Sequence, residues 1–194
     1  MSRNIREHYR WTRTALDKLF ARPDLPTQVA ERREDIYAMV YLAEAGRLYA
    51  VCEIEAAKEA LSTALRLSPH LCGERAECLS DVMVTWQQSV WNPDGPGVLR
   101  RVFENLPSEP ALPTDLVSRV RLKSDKALFY DAFTRGDAGR VWRQWVRIAL
   151  RDPLWLRNRG SWSIPLRALV ASKRRTPRGE ATPERHATDR CARA

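Results

Sequence analysis

His70, Cys72 and Cys78 place an imidazole and two thiols close together in the chain. Thiolate and imidazole are the donors that zinc prefers, and a closed structural site takes four of them. No further Cys-x-x-Cys or paired histidine completes such a set. Cys52 follows Ala50-Val51 as a small core or turn residue, and Cys191 sits in a polar tail. His70 reads as a helix-start histidine beside two semi-buried thiols. No metal site is expected, and with no export signal no disulfide framework either.

Acid–base chemistry has one candidate pair, Glu34-Asp35, among arginines at a helix start. Carboxylates there suit the positive end of the helix dipole, which is the reading adopted. His8, His70 and His186 stand apart from any serine or cysteine that looks activated. A Ser-His-Asp site is spatial rather than sequential, but nothing in the chain favours one. There is no glycine-rich phosphate loop and no Asp-x-Asp, so neither a catalytic residue nor a cofactor is expected.

The strongest functional signal is "DPLWLRNRGSWSIPLRALV", Asp152 to Val170. The chain carries a formal net charge of +9, and no Asp or Glu lies between Pro153 and Gly179. That window holds Arg157, Arg159, Arg167, Lys173, Arg174, Arg175 and Arg178. A localised excess of positive charge argues for an anionic partner better than a diffuse one does. Trp155 and Trp162 lie within it. The candidate partner or membrane surface is therefore Trp155, Arg157, Arg159, Trp162, Arg167, Lys173, Arg174 and Arg175. The bland reading is that the apolar side of the last helix closes the end of a helical stack. Trp142 and Trp145 fall on the same helical face as Val141 and Ile148 and are expected in the core.

The elements that must position these residues read as helices. No segment sustains period-two alternation. Helices are expected from Ile5 to Phe20, about Arg32 to Val51, Ile54 to Leu67, about Glu74 to Val90, Val98 to Asn105, after Thr114 or Asp115 to about Arg135, and Ala138 to Arg151. Two prolines in "RPDLPTQ" and the run "WNPDGPG" mark breaks. Ser68-Pro69 and Asp152-Pro153 each end one helix and open another, with Ser or Asp as N-cap. Gly160 is expected to end the short helix after Pro153. Ser161 or Ser163 then caps a last helix with Pro165 in its first turn. The fold class is all-α: a helical-hairpin bundle or short solenoid over residues 1–172. A basic tail over 173–194 is too poor in apolar residues to order itself.

Two segments share a layout. Ala57, Leu61, Ala64 and Pro69 are spaced like Val141, Trp145, Ile148 and Pro153, and Cys52-Glu53 occupies the place of Gly136-Asp137. The layout resembles the tetratricopeptide repeat, with Val141 and Ile148 where that repeat has alanines. The run Asp152, Pro153, Trp155, Leu156, Asn158, Arg159, Gly160, Ser163 and Ile164 resembles the helical region that follows the catalytic domain in many bacterial family-2 glycosyltransferases. "LRRVFENLP", Leu99 to Pro107, is similar to another part of it. The resemblance implies a protein that derives from, or works beside, an enzyme of cell-envelope polysaccharide synthesis, without that enzyme's nucleotide-sugar site. A non-catalytic docking module is the expectation. Its partner is a protein such as a glycosyltransferase catalytic domain, with an anionic membrane surface as a further partner. The N-terminal stretch has charge throughout and does not read as a secretory signal. The expected location is cytoplasmic, peripheral at the inner face of the membrane when docked. The alternative is a basic helical protein associated with nucleic acid through phosphate neutralisation.

Overall fold

A computed structural model describes residues 2–73, 76–89, 92, 94–109 and 111–174. Among them there is helix and no strand, as the absence of period-two patterning predicts. The helices are α1 (Ser2–Phe20), α2 (Thr27–Ala30), α3 (Arg33–Ala50), α4 (Ile54–Leu67), α5 (Ala76–Gln88), α6 (Gly95–Glu104), α7 (Leu116–Thr134), α8 (Ala138–Arg151) and α9 (Arg159–Arg174). Short 3-10 segments, Pro69–Cys72 and Pro153–Arg157, follow α4 and α8. The sequence reading draws one helical domain over 1–172. The contacts divide the chain into two compact units, residues 1–120 and 121 onward, with the boundary inside α7.

In the first unit α3 and α4 form the tightest helix pair, and α1, α5 and α6 pack on α3. Ala38, Leu42, Ala45, Ala57, Leu61 and Ala64 are fully buried. Small residues on both helices let the backbones approach. Gly46 serves the same end more sharply, since a Cβ there would lie 2.5 Å from the Trp86 indole of α5. The end of α6 is pinned to the end of α3. The Tyr49 hydroxyl donates to the Asn105 carbonyl at 2.9 Å, and Arg101 Nε donates to the Tyr49 carbonyl at 3.0 Å. Ser68 does not act as a side-chain cap. Its hydroxyl instead donates to Asp35 Oδ1 at 2.6 Å, tying the end of α4 to the start of α3. Helix α6 begins at Gly95, three residues before the expected start, because the Asp94 carboxylate caps it by accepting from the Gly97 N–H.

The second unit repeats this hairpin. Helix α8 has the length of α4 and lies 84 positions later in the chain, Ile54 to Ala138. The turns before them match. Cys52 (φ 65°) and Gly136 (φ 74°) both take the left-handed conformation that closes a helix. The Glu53 N–H donates to the Leu48 carbonyl and the Asp137 N–H to the Ala132 carbonyl, both at 2.9 Å. The exits match as well: Ser68 has φ −132°, ψ 81° and Asp152 has φ −136°, ψ 78°. Asp152 does use its side chain as expected, accepting from the Trp155 N–H.

The core of this unit is Phe129, Ala132, Val141, Ile148 and Ala168, with Trp145, Trp155 and Ile164 packed against it. Helix α9 starts earlier than expected. Asn158 Oδ1 accepts from the Gly160 N–H, while the Ser161 and Ser163 hydroxyls donate to carbonyls of residues 158 and 160. Pro165 consequently lies inside the helix rather than in its first turn. A proline there cannot donate to the carbonyl four residues back. That carbonyl, on Ser161, accepts the Trp145 indole N–H instead, at 2.9 Å. Of the expected tail, Lys173 and Arg174 continue α9, and Arg175–Ala194 lie outside the described residues.

Candidate docking surface

The second unit positions its functional candidates with one 3-10 turn and one proline-bearing helix, and it separates them. Asp152 and Pro153 open the 3-10 segment, which turns Trp155 inward. Its ring meets Phe129 edge to face, with centroids 5.4 Å apart. Trp155 is thus half-buried and belongs mainly to the core. Trp162 remains 43% exposed. Its ring lies 4.6 Å from that of Trp145, and its N–H donates to the Leu156 carbonyl at 2.8 Å. Arg157, Arg159 and Arg167 are exposed, and none forms an ion pair with another described residue. The Lys173 and Arg174 side chains lie outside what the structure describes, as does Arg175.

The same unit exposes apolar side chains for which the sequence gives no surface role. On α8, Val146 (45%) and Leu150 (79%) are exposed one turn apart, and Leu154 (66%) follows in the 3-10 segment. On α9, Leu166, Leu169 and Val170 form an exposed stripe at helical spacing, opposite buried Ala168 and Ser161. The signal was available. Val146 and Leu150 sit i, i+4 on a face that the Val141–Ile148 core stripe leaves free.

Buried polar groups in this unit are mostly paired. Arg151 forms an ion pair with Asp125, whose carboxylate is almost fully buried. Burial pushes the Asp125 carboxyl above its ordinary value, against the opposing pull of Arg151 and Arg147. Lys126 Nζ meets Asp152 Oδ2 at 3.0 Å.

The other sequence candidates fall elsewhere. Glu34 and Asp35 lie in the first turn of α3, and Asp35 accepts from Ser68. His70 and Cys78 are exposed, whereas Cys72 is half-buried and its thiol is shifted upward by desolvation. Among the described residues no group of three or more His, Cys, Asp or Glu comes together as metal ligands would, and no helix is long and apolar enough to cross a membrane. His8 is exposed on α1, and His186 and Cys191 lie outside the described residues. Comparison with protein-family models, with curated proteins and with solved structures finds no match for the chain.

Proposed function

We propose that this chain is a non-catalytic helical interaction module and that its second unit is the docking end. One observation carries the reading. Of the eleven large hydrophobic side chains exposed among the described residues, eight lie between Tyr130 and Val170. Scattered apolar residues on a surface need no explanation, whereas their concentration in one unit supports an interaction surface there. Arg157, Arg159 and Arg167 stand among them without carboxylate partners in the described residues. A partner surface that is apolar at its centre and acidic at its rim would answer both features.

The lineage part of the proposal rests on the run Asp152 to Ile164. By that resemblance the partner is the catalytic domain of a bacterial family-2 glycosyltransferase of cell-envelope polysaccharide synthesis. An anionic bilayer at the inner face of the membrane is a second reading, favoured by the interleaving of leucines with arginines. Each basic residue near a negative membrane surface adds roughly 1 kcal/mol.

Sedimentation of the full chain with vesicles of phosphatidylglycerol, and separately of phosphatidylcholine, tests the two. Binding to the anionic vesicles that weakens in salt and is lost in Arg157→Gln/Arg159→Gln/Arg167→Gln supports the bilayer. Indifference to both leaves the protein partner, tested by copurification with a co-expressed bacterial family-2 glycosyltransferase catalytic domain. Loss of copurification in Leu150→Ser/Leu166→Ser, with helix content intact by circular dichroism, supports docking. Steeply salt-dependent binding to duplex DNA with no binding to lipid or protein would replace both readings.

A further inference from the structure

Helix α8 carries a second charged feature, bordered on one side by exposed Val146 and Leu150. Arg140, Arg143, Gln144 and Arg147 recur at the spacing of one helix face. Together with Asp137 they line an open cleft of about 340 Å³. The three arginines are exposed. Arg140 and Arg143 form no ion pair with another described residue, and Arg147 lies near the Asp125 carboxylate that Arg151 already engages. Asp137 is occupied as the N-cap of α8, accepting from the Arg140 N–H at 2.9 Å. Gln144 is only 5% exposed, and its Oε1 is buried without a hydrogen-bond partner. A buried acceptor left unpaired is costly, so one in a cleft marks a place where a donor belongs.

The first hairpin offers a control. Counted along the repeat, Ala56, Glu59, Ala60 and Thr63 of α4 take the places of Arg140, Arg143, Gln144 and Arg147 of α8. They too line a cleft, of about 230 Å³, but Arg6 and Arg13 of α1 also line it, and Arg13 pairs with buried Glu44. The same scaffold position therefore folds without arginine on the repeat helix and accommodates charged groups from outside the hairpin. In the first cleft two arginines share the lining with Glu44 and Glu59, whereas in the second the repeat helix itself supplies three arginines against Asp137 alone. Like charges one turn apart on a helix destabilise it, so packing gives no reason for the stripe.

We propose that the Arg140–Arg143–Arg147 face of α8 binds an organic phosphate ester that carries a free hydroxyl. Guanidinium groups donate in pairs to phosphate oxygens, and their planar fork suits that geometry. The hydroxyl donates to Gln144 Oε1, which supplies the missing partner and discriminates among phosphates. This site uses residues distinct from those of the docking surface and stands or falls separately.

Isothermal titration of the full chain at constant ionic strength, with glycerol 1-phosphate and methyl phosphate as probes, decides the matter. Both should bind saturably, glycerol 1-phosphate about fivefold tighter, the worth of one hydrogen bond. Arg140→Gln/Arg143→Gln/Arg147→Gln should weaken both by about tenfold or more, since each lost contact is charge-assisted. Gln144→Leu should erase the preference while keeping methyl phosphate binding. Arg157→Gln/Arg159→Gln/Arg167→Gln should change neither. Absence of saturable binding, or binding retained by the Arg140/Arg143/Arg147 variant, overturns the proposal. So does a single-stranded oligonucleotide that binds through the same arginines far more tightly than either ester, which would make the site a polyanion track.

Discussion

The α3–α4 and α7–α8 hairpins have the same turn, the same exit and the same helix length after the turn, yet they are filled differently. At matched places the first has Ala45, Ala57, Leu61 and Ala64, and the second has Phe129, Val141, Trp145 and Ile148. Backbone geometry at turn and exit is thus set by local chemistry: a left-handed residue that closes one helix, and a Ser or Asp before proline that ends the next. Side-chain volume sets what happens between. Alanine faces bring helices together and leave little to choose. Large faces need interlocking aromatic rings, and on the outward side Val146, Leu150 and Leu154 stand exposed where the first hairpin has Ser62, Arg66 and His70. The hairpin with the bulky interior is also the one with the apolar exterior.

The largest test of this contrast is to empty the bulky interior. Phe129→Ala should cost about 3–5 kcal/mol, as large-to-small changes in packed cores do. The reverse exchange, Ala64→Ile, gives the first hairpin the residue of the second and should cost about 1–3 kcal/mol through overpacking. Urea denaturation measures both. If Ala64→Ile is neutral, the α3–α4 contact is looser than its buried alanines indicate.

The turns should respond with opposite signs. Cys52→Gly relieves a left-handed conformation that costs an ordinary residue about 1–2 kcal/mol, so the melting temperature should rise. Gly136→Ala imposes the same strain and should lower it by a similar free energy. Equal responses would mean that the turns are not equivalent.

A smaller effect concerns the proline in α9. Trp145→Phe leaves the Ser161 carbonyl without its donor and should cost about 1 kcal/mol beyond the lost packing. In a Pro165→Ala background the new backbone N–H can serve that carbonyl, and the cost should shrink. A double-mutant cycle reads the difference directly. No coupling would show that the indole is held by packing alone.

The smallest effect is a pH dependence. The folded carboxyl of Asp125 is shifted upward, chiefly by burial, with Arg151 opposing. A raised folded pKa favours the native state below the unfolded value, and that contribution is lost as pH rises through the folded pKa. The stability of the wild type relative to Asp125→Asn should therefore decline as pH rises from about 4, the unfolded value. Denaturation midpoints over an acid-to-neutral series test it. A relative gain with rising pH would mean that the arginines outweigh burial.

Much of this fold was legible in the chain. The apolar stripes of α4 and α8, each bounded by a turn and a proline, mark both helices at their observed ends. What escaped depends on partners distant in sequence. Helix α9 runs through Pro165 because an indole from α8 takes the vacated carbonyl, and no local rule supplies that. The "GPG" of α6 reads as a turn until the Asp94 side chain caps it. The short α2 hides in a segment that two prolines mark as a break. Trp155 was placed on the surface by its basic neighbours, whereas its position in the repeat matches Leu71, which is buried. Register was the better guide than local charge. The arginine stripe of α8 is equally legible, as Arg140, Arg143 and Arg147 at i, i+3 and i+7.

The indoles of the second unit have an optical consequence. Trp142, Trp145 and Trp162 form a chain of edge-on contacts, with centroids 5.4 and 4.6 Å apart. Transition dipoles at such separations couple, and coupled indoles give a signed doublet in the ultraviolet circular dichroism that an isolated indole lacks. The doublet depends on the α8–α9 packing and vanishes once those rings drift apart. The first unit contributes tyrosine signals from Tyr9, Tyr37, Tyr41 and Tyr49. The first unit also holds Trp11 and Trp86 and the second Tyr130, so it is the loss of the doublet, not a tyrosine or tryptophan band as such, that reports melting of the second unit in one unlabelled sample.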